Sequence, residues 1–400
     1  MDEGYDDEEE NFEIIEEIEL DNKEPNAELA YNIEEMTVDN EDKISETNED
    51  DKFVEETDDS DLTFSQHTAS VFCVSVDPSS FSHVVSGGED DKAFVWKLTD
   101  GKLKFTCGGH KDSVTCAKFS YDSKYIGTGD MSGSIKVWSL ETGDEIWSFE
   151  TSDLEWLEWH HGAHVLFAGT ADGEFWMWKI PGDACKTYQS HGPKTTCSSL
   201  LKDGKRICVG YGDGSLKLWD LKAGNHEFHI TDGYAHEESV TCLDVNEDNT
   251  LLASGSEDGI LKLTHIGNGK VLGNMEAALG KDESDVSIEA VGFCSNQPIV
   301  ATASLSGNLG IWDVTSQRLR HQCQHPAGVN RLHWEDTLIY TGCLDGILRL
   351  WDARSGTCER EWHGHRAPIL DMAISRDSSA VVTSSDDTTV KRYSLVEPGR

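Results

Sequence analysis

Positive charge is what this sequence has least of. Its 400 residues hold 33 Lys and Arg against 75 Asp and Glu, a formal net charge of -42. Such a chain repels nucleic-acid phosphates and anionic lipid headgroups, because binding there requires cationic side chains that displace counterions. A direct nucleic-acid partner is therefore not expected, and a basic protein partner is. Long apolar runs are also missing, since no stretch of about 18 apolar residues exists to span a bilayer. The acidic start, Met1–Glu10, lacks the basic and apolar regions of a signal peptide. The eleven cysteines contain no C-x-x-C pair, and no N-x-[ST] sequon occurs. The thiols read as small apolar core residues of a reducing compartment, not as a disulfide framework. Neither membrane insertion nor secretion is expected.

Catalytic signatures are absent as well. There is no Walker A loop, H-E-x-x-H, G-x-S-x-G or kinase set. The segment Gly267-Asn268-Gly269-Lys270-Val271-Leu272-Gly273 has its third glycine in the wrong place for a phosphate loop and reads as a turn. His160, His161 and His164 are joined by no Cys or carboxylate at ligand spacing and read as a surface cluster. No catalytic, cofactor-binding or metal-binding residue is expected, and the chain reads as a non-enzyme.

The acid is unevenly spread. Residues 1–60 contain 27 acidic residues against Lys23, Lys43 and Lys52, a local charge of -24, which leaves -18 for the other 340. A segment so charged and so poor in aromatics cannot offset its ordering entropy, so residues 1–60 read as a disordered acidic tail. Two patches, Phe12–Leu20 and Leu29–Ile33, interrupt it as fluctuating helix or as a linear motif that folds on a partner.

From Leu62 onward the sequence repeats. Units close at Trp96, Trp138, Trp178, Trp219, Thr264, Trp312, Trp351 and Tyr393, at intervals of 42, 40, 41, 45, 48, 39 and 42. A period of about 40–45 with Gly-His near the start and Trp-Asp at the end is the mark of four-stranded propeller blades. Gly109-His110 and Gly364-His365 supply the first mark; Trp219-Asp220, Trp312-Asp313 and Trp351-Asp352 supply the second. The expected fold is all-β, an eight-bladed WD-repeat β-propeller over residues 61–396. Because the last unit ends at Tyr393, its outer strand must come from elsewhere. Leu62-Thr63-Phe64-Ser65 is placed to supply it and so to remove an exposed terminal edge.

Polar residues recur within the units: Ser or Thr ten before the closing aromatic, Asp six before it, and His about eighteen before the hydroxyl residue. In this fold such residues form a buried chain from indole N–H through hydroxyl and imidazole to carboxylate. His67, Ser86, Asp90 and Trp96 make a complete set, and His325, Thr341, Asp345 and Trp351 another. His110, Thr128 and Trp138 lack the acid, whose place Ser132 holds; His236, Ser254 and Asp258 end on Thr264. Blades three and six are degenerate, with Ala168 replacing the hydroxyl residue beside Asp172, and Ser306 replacing the acid beside Thr302 and Trp312. Recurrence around a ring makes these groups architectural, not triads or metal ligands.

With the repeats in place, several stretches resemble the angio-associated migratory cell protein family. They are Gln66-His67, Val71–Ser75, Gly87–Trp96, Gly129–Gly133, Asp153–Trp156, Ala168–Gly173, Leu319–His325 and Leu344–Arg354, and the likeness extends to Glu13–Asp21 of the tail. The resemblance implies a cytoplasmic eight-repeat protein linked to cell migration and angiogenesis. It also implies a distant fungal relative that chaperones a newly made large-subunit ribosomal protein. Heparin and cell-surface binding belong to the family's description, but a charge of -42 and a single compact basic cluster, Arg318-Leu319-Arg320, count against them. The nucleus and the periphery of the cell membrane are alternative locations, and a monomer is expected.

In propellers of this type two positions per blade face the mouth of the central channel. One follows the first β-branched residue of the inner strand; the other precedes the turn Asp. Here they are Phe72 and Glu89, Thr115 and Met131, Glu155 and Ala171, Thr196 and Gly212, Thr241 and Glu257, Glu289 and Leu305, Asn330 and Leu344, and Leu370 and Asp386. Five are acidic and none is basic. Carboxylates around the apolar Phe72, Met131, Leu305, Leu344 and Leu370 suit a short basic peptide, such as the end of a ribosomal protein. A signalling scaffold with several partners is the alternative reading.

Overall fold

In the computed structural model, residues 57–182, 184–189, 192–277 and 286–395 are described. The tail reading covers residues 1–60, of which 1–56, with both apolar patches, lie outside the described residues; residues 57–60 are described, with Asp58 and Asp59 bonded to the propeller. The rest forms thirty-two strands, β1 to β32, in eight four-stranded antiparallel sheets. This is the expected eight-bladed propeller.

Each blade is covered on both faces because it is sandwiched between two neighbours, so its middle strands are buried along most of their length instead of alternating. β3 (His83–Gly88) and β31 (Ala380–Ser385) are buried along nearly their whole length. Small residues permit the close approach. A Cβ added at Gly210 would lie 2.8 Å from Cys197 Sγ and 2.9 Å from a methyl of Val240 in the next blade.

The innermost strands are β2 (Val71–Val76), β6 (Val114–Phe119), β10 (Leu154–Trp159), β14 (Thr195–Leu200), β18 (Val240–Val245), β22 (Ile288–Phe293), β26 (Val329–Glu335) and β30 (Ile369–Ile374). They close a circle that is hydrogen-bonded at every junction. Going round from blade one, Cys73 Sγ donates to the Val114 carbonyl (3.7 Å), and Trp159 Nε1 to that of Lys118 (3.0 Å). Ser198 Oγ donates to Glu158 (2.9 Å), Cys197 Sγ to the Val240 carbonyl (3.6 Å), and the Phe293 amide to Asp244 (2.6 Å). Trp334 Nε1 reaches the Gly292 carbonyl (2.8 Å), and Asn330 Nδ2 that of Ile369 (2.6 Å). The Val74 amide closes the ring on Asp371 (3.0 Å).

Chain ends meet in blade eight. β1 (Leu62–Phe64) pairs antiparallel with β32 (Val390–Ser394), with Thr63 opposite Lys391 and Phe64 opposite Val390. The segment anticipated from the missing outer strand therefore supplies it. Phe64 then stacks on Trp96 at 4.8 Å between ring centres, locking the exchange strand onto blade one. Contact with blade eight begins earlier still, as the Asp59 amide donates to the His363 carbonyl at 2.9 Å and Asp58 pairs with Lys391 at 2.6 Å.

Candidate partner-binding site

The recurrent polar sets must be understood first, because a His, Ser and Asp together could be mistaken for a catalytic centre. His67 Nδ1 lies 3.0 Å from Asp90, its Nε2 2.9 Å from Ser86 Oγ, and Trp96 Nε1 donates to the same hydroxyl at 3.3 Å. The carboxylate accepts from Nδ1–H, Nε2 accepts from the hydroxyl, and the hydroxyl accepts from the indole, so the ring's polar atoms are all satisfied. Each hydroxyl is spent on structure.

Two of the expected assignments need correction. Blade two does not lack its acid: Asp130, two residues before Ser132, sits 3.1 Å from His110 Nδ1, and Ser132 Oγ donates to the same carboxylate at 2.7 Å. In blade seven, Asp345 does not meet His325. Its carboxylate is taken by Arg349, at 2.8 and 3.2 Å, while His325 Nδ1 faces the Gly307 carbonyl at 3.2 Å. The Arg349 side chain is buried and also bonded to Glu361 at 2.7 Å, and a buried guanidinium outcompetes a neutral imidazole for the carboxylate. Burial, reinforced by the Arg349 charge, pushes the His325 pKa down to about 4.

The degenerate blades behave as their sequences imply. With Ala168 in place of a hydroxyl residue, Trp178 Nε1 is buried with no partner among the described residues. Trp312 Nε1 keeps Thr302 at 3.1 Å. Blade four has a substitute that spacing missed: Trp219 Nε1 donates to the Tyr211 hydroxyl at 3.3 Å. The three histidines after β10 are occupied, His160 by the Gly204 carbonyl (3.0 Å), His161 by that of Leu201 (3.2 Å) and His164 by Asp122 (3.0 Å).

At one end of the inner ring a different pattern repeats. The register of every innermost strand slips by one residue at its second position: Phe72, Thr115, Glu155, Thr196, Thr241, Glu289, Asn330 and Leu370. A β-bulge leaves the extra residue unpaired and re-aims its side chain. The second member of each pair is also held equivalently. The amides of Glu89, Met131, Ala171, Gly212, Glu257, Leu305, Leu344 and Asp386 each donate to a carbonyl just before the bulge, at 2.8–3.0 Å. The sixteen positions thus form two eightfold sets, one at the bulges and one at the amides bonded beside them.

Their environments differ. Met131 is 50% exposed, Glu89, Glu257 and Asp386 are exposed, and Phe72, Glu155, Glu289, Leu305, Leu344 and Leu370 are half-buried. Glu89 and Glu257 have no side-chain partner among the described residues. Asp386 accepts from Ser70 Oγ at 2.6 Å across the junction of blades eight and one, and Glu289 from Ser287 Oγ at 2.6 Å. Lys194, which the sixteen positions do not include, stands 3.6 Å from Glu155 as a partly exposed ion pair.

The WD domain, G-beta repeat model matches residues 59–97, 101–139, 182–220, 228–264, 316–352 and 356–394, and leaves unmatched the stretches closing at Trp178 and Trp312. The human angio-associated migratory cell protein is 49% identical over 356 residues, which cover 86% of this chain and 82% of that protein. The chain belongs to the angio-associated migratory cell protein family. This family is related more distantly to the ribosome assembly protein Sqt1 of Saccharomyces cerevisiae, 24% identical over 78% of this chain and 79% of that one. Among solved structures, Chaetomium thermophilum Sqt1 bound to the N-terminus of the ribosomal protein L10 superposes with a TM-score of 0.77. It is 21% identical and covers 85% of this chain and all of that one, a likeness of fold.

Proposed function

We propose that this member of the family is a non-catalytic, cytoplasmic binding propeller. Its mouth holds a short basic peptide, and the N-terminal segment of a large-subunit ribosomal protein is the client class. The observation that carries the reading is the pair of eightfold sets, which present Glu89, Glu155, Glu257, Glu289 and Asp386 between the apolar Phe72, Met131, Leu305, Leu344 and Leu370. Apolar anchors encircled by carboxylates bind a cationic amphipathic segment by desolvating the anchors while the acids steer and orient it. The solved complex of Chaetomium thermophilum Sqt1 with the N-terminus of the ribosomal protein L10 supports this client class. Shielding such a segment would keep it from the nucleic acid it would otherwise adhere to, which is a chaperone's task.

The test is calorimetric titration of the full chain with an Arg/Lys-rich ribosomal N-terminal peptide, beside a variant carrying E89K, E257K and D386K. The reversal is expected to abolish binding with no change in melting temperature. Affinity in the parent should fall with salt, as the Debye length shrinks from about 10 Å at 0.1 M to about 3 Å at 1 M. Binding that survives the reversal and is lost on deleting residues 1–56 would assign the attraction to the acidic tail. A scaffold in migration, suggested by the relatives' name, predicts partners that bind the reversed variant equally well.

A further inference from the structure

The mouth is not uniform around the axis. Blades five to eight, one and two carry acids with no ion-pair partner among the described residues, and the large apolar side chains, whereas blades three and four present Ala171, Gly212 and Thr196, with Glu155 paired to Lys194. In that sector the Lys194 stem packs against Gly212, where an added Cβ would lie 3.0 Å from Lys194 Cγ, and its ammonium pairs with Glu155. Thr196 also lines a cavity of about 460 Å³ in the wall of the inner ring, which crosses β6, β10 and β14 and is bounded by Lys118, Trp156, Glu158, Trp159 and Ser198. Glu158 follows the mouth residue Glu155 by three positions, about 10 Å deeper at the rise of a β-strand.

The lining is chemically unfinished. Trp159 Nε1 is committed to the Lys118 carbonyl, and one Glu158 oxygen accepts from Ser198 at 2.9 Å. No cation comes within ion-pair distance of Glu158 among the described residues. A carboxylate has about four acceptor positions and here uses one. Burial holds its pKa above the ordinary carboxylate range, more than the Ser198 bond and the Lys118 charge bring it down. Trp156 and Trp159, both largely buried, line the cavity beside it and add apolar wall for a methylene stem.

We propose that this cavity receives a cationic group of the peptide held at the mouth, either an Arg or Lys side chain or the free amino terminus, with Glu158 as its counter-ion. The proposal rests on the mouth reading above. The peptide lies over the acidic crescent and reaches the cavity past Thr196, which lines it. There the charge-assisted bond to Glu158 adds a fixed register to an attraction that is otherwise diffuse.

The experiment titrates the same basic peptide into the full chain carrying E158Q. Affinity is expected to fall about tenfold, in the range of one charge-assisted hydrogen bond. N-acetylation of the peptide, or replacement of single Arg or Lys residues by Gln, identifies the source. The modification that removes the partner of Glu158 costs the parent about tenfold and the E158Q variant nothing. K118M provides the opposite sign, since removing a competing cation should tighten binding about threefold, and it serves even if E158Q melts early. Parent-like affinity in E158Q, or weaker binding in K118M, overturns the proposal while leaving the mouth reading intact. Loss of the mouth reading would show instead as unchanged binding in the E89K, E257K and D386K variant.

Discussion

At the scale of single residues, the buried polar sets make sharp predictions because their partners differ by blade. Asp130→Asn should lower stability by about 1–3 kcal/mol, the cost of leaving buried donors unsatisfied, whereas Ser132→Ala should cost little; thermal melts of the two variants decide it. Asp345→Ala should also destabilise, but through Arg349. R349M added to D345A should recover part of the loss, which a His325 partnership would not allow. His325 carries a pH dependence of known sign. Its pKa is near 4 in the fold and near 6.5 unfolded, so below pH 6.5 the unfolded chain binds a proton that the fold refuses. Stability from this group is full above pH 6.5 and is lost as pH falls towards 4, by about 3 kcal/mol for the whole shift. Asp244, pushed up to about 6 by burial, acts in the opposite direction over the same window. The readout is therefore the difference between the parent and H325Q, whose acid-side slope should be shallower by the His325 contribution.

Elements carry the closure of the ring. β1 has three residues, yet it covers the edge of β32 and places Phe64 in the core between the first and last blades, packed with Val71, Trp96 and Val390. Phe64→Ala should cost about 3–5 kcal/mol, as for other buried aromatics. Limited proteolysis should then release the segment before β2 much faster than in the parent, and no stable fragment should begin inside the ring, for instance after Trp138. Blade three shows the same scale from the other side. Its inner strand bears Trp156 and Trp159 where its neighbours bear Cys116 or Cys197 and Phe119 or Leu200, and the ring wall there encloses the cavity containing Glu158. Bulk on one strand has made room beside it.

For the whole molecule, the question is how a net charge of -42 becomes a directed surface instead of a general repulsion. In the proposed mouth, the carboxylates from several blades would lie close together, where fields of like sign add in a confined, partly desolvated space. Removing residues 1–56 takes away 27 acidic residues less Asp58 and Asp59, so 25 of them. The proposed division of labour predicts that the truncated chain keeps its melting temperature and its specific peptide affinity. Its association rate at low salt should drop, because the tail contributes only long-range steering. Stopped-flow binding at two ionic strengths measures this.

What was legible in the sequence was whatever depends on spacing along the chain. Eight closures from Trp96 to Tyr393, the set of His67, Ser86, Asp90 and Trp96, the exchange of Leu62–Phe64 and the weakness of blades three and six follow from a repeat that each blade must satisfy for itself. The recurrence of the positions from Phe72 to Leu370 was legible for the same reason, but the bulge at each was seen only in the structure. What only the tertiary structure decided were choices between competing neighbours. Asp130 rather than Ser132 reaches His110 because the turn presents the earlier carboxylate. Arg349 takes Asp345 from His325 because burial makes an unpaired guanidinium costlier than an unpaired imidazole. Lys194 pairs with Glu155, and Ser198 bonds Glu158, across blade junctions about forty residues apart in sequence. A periodic pattern records what one blade requires of itself, whereas these pairings depend on the distance and burial created when neighbouring blades are pressed together.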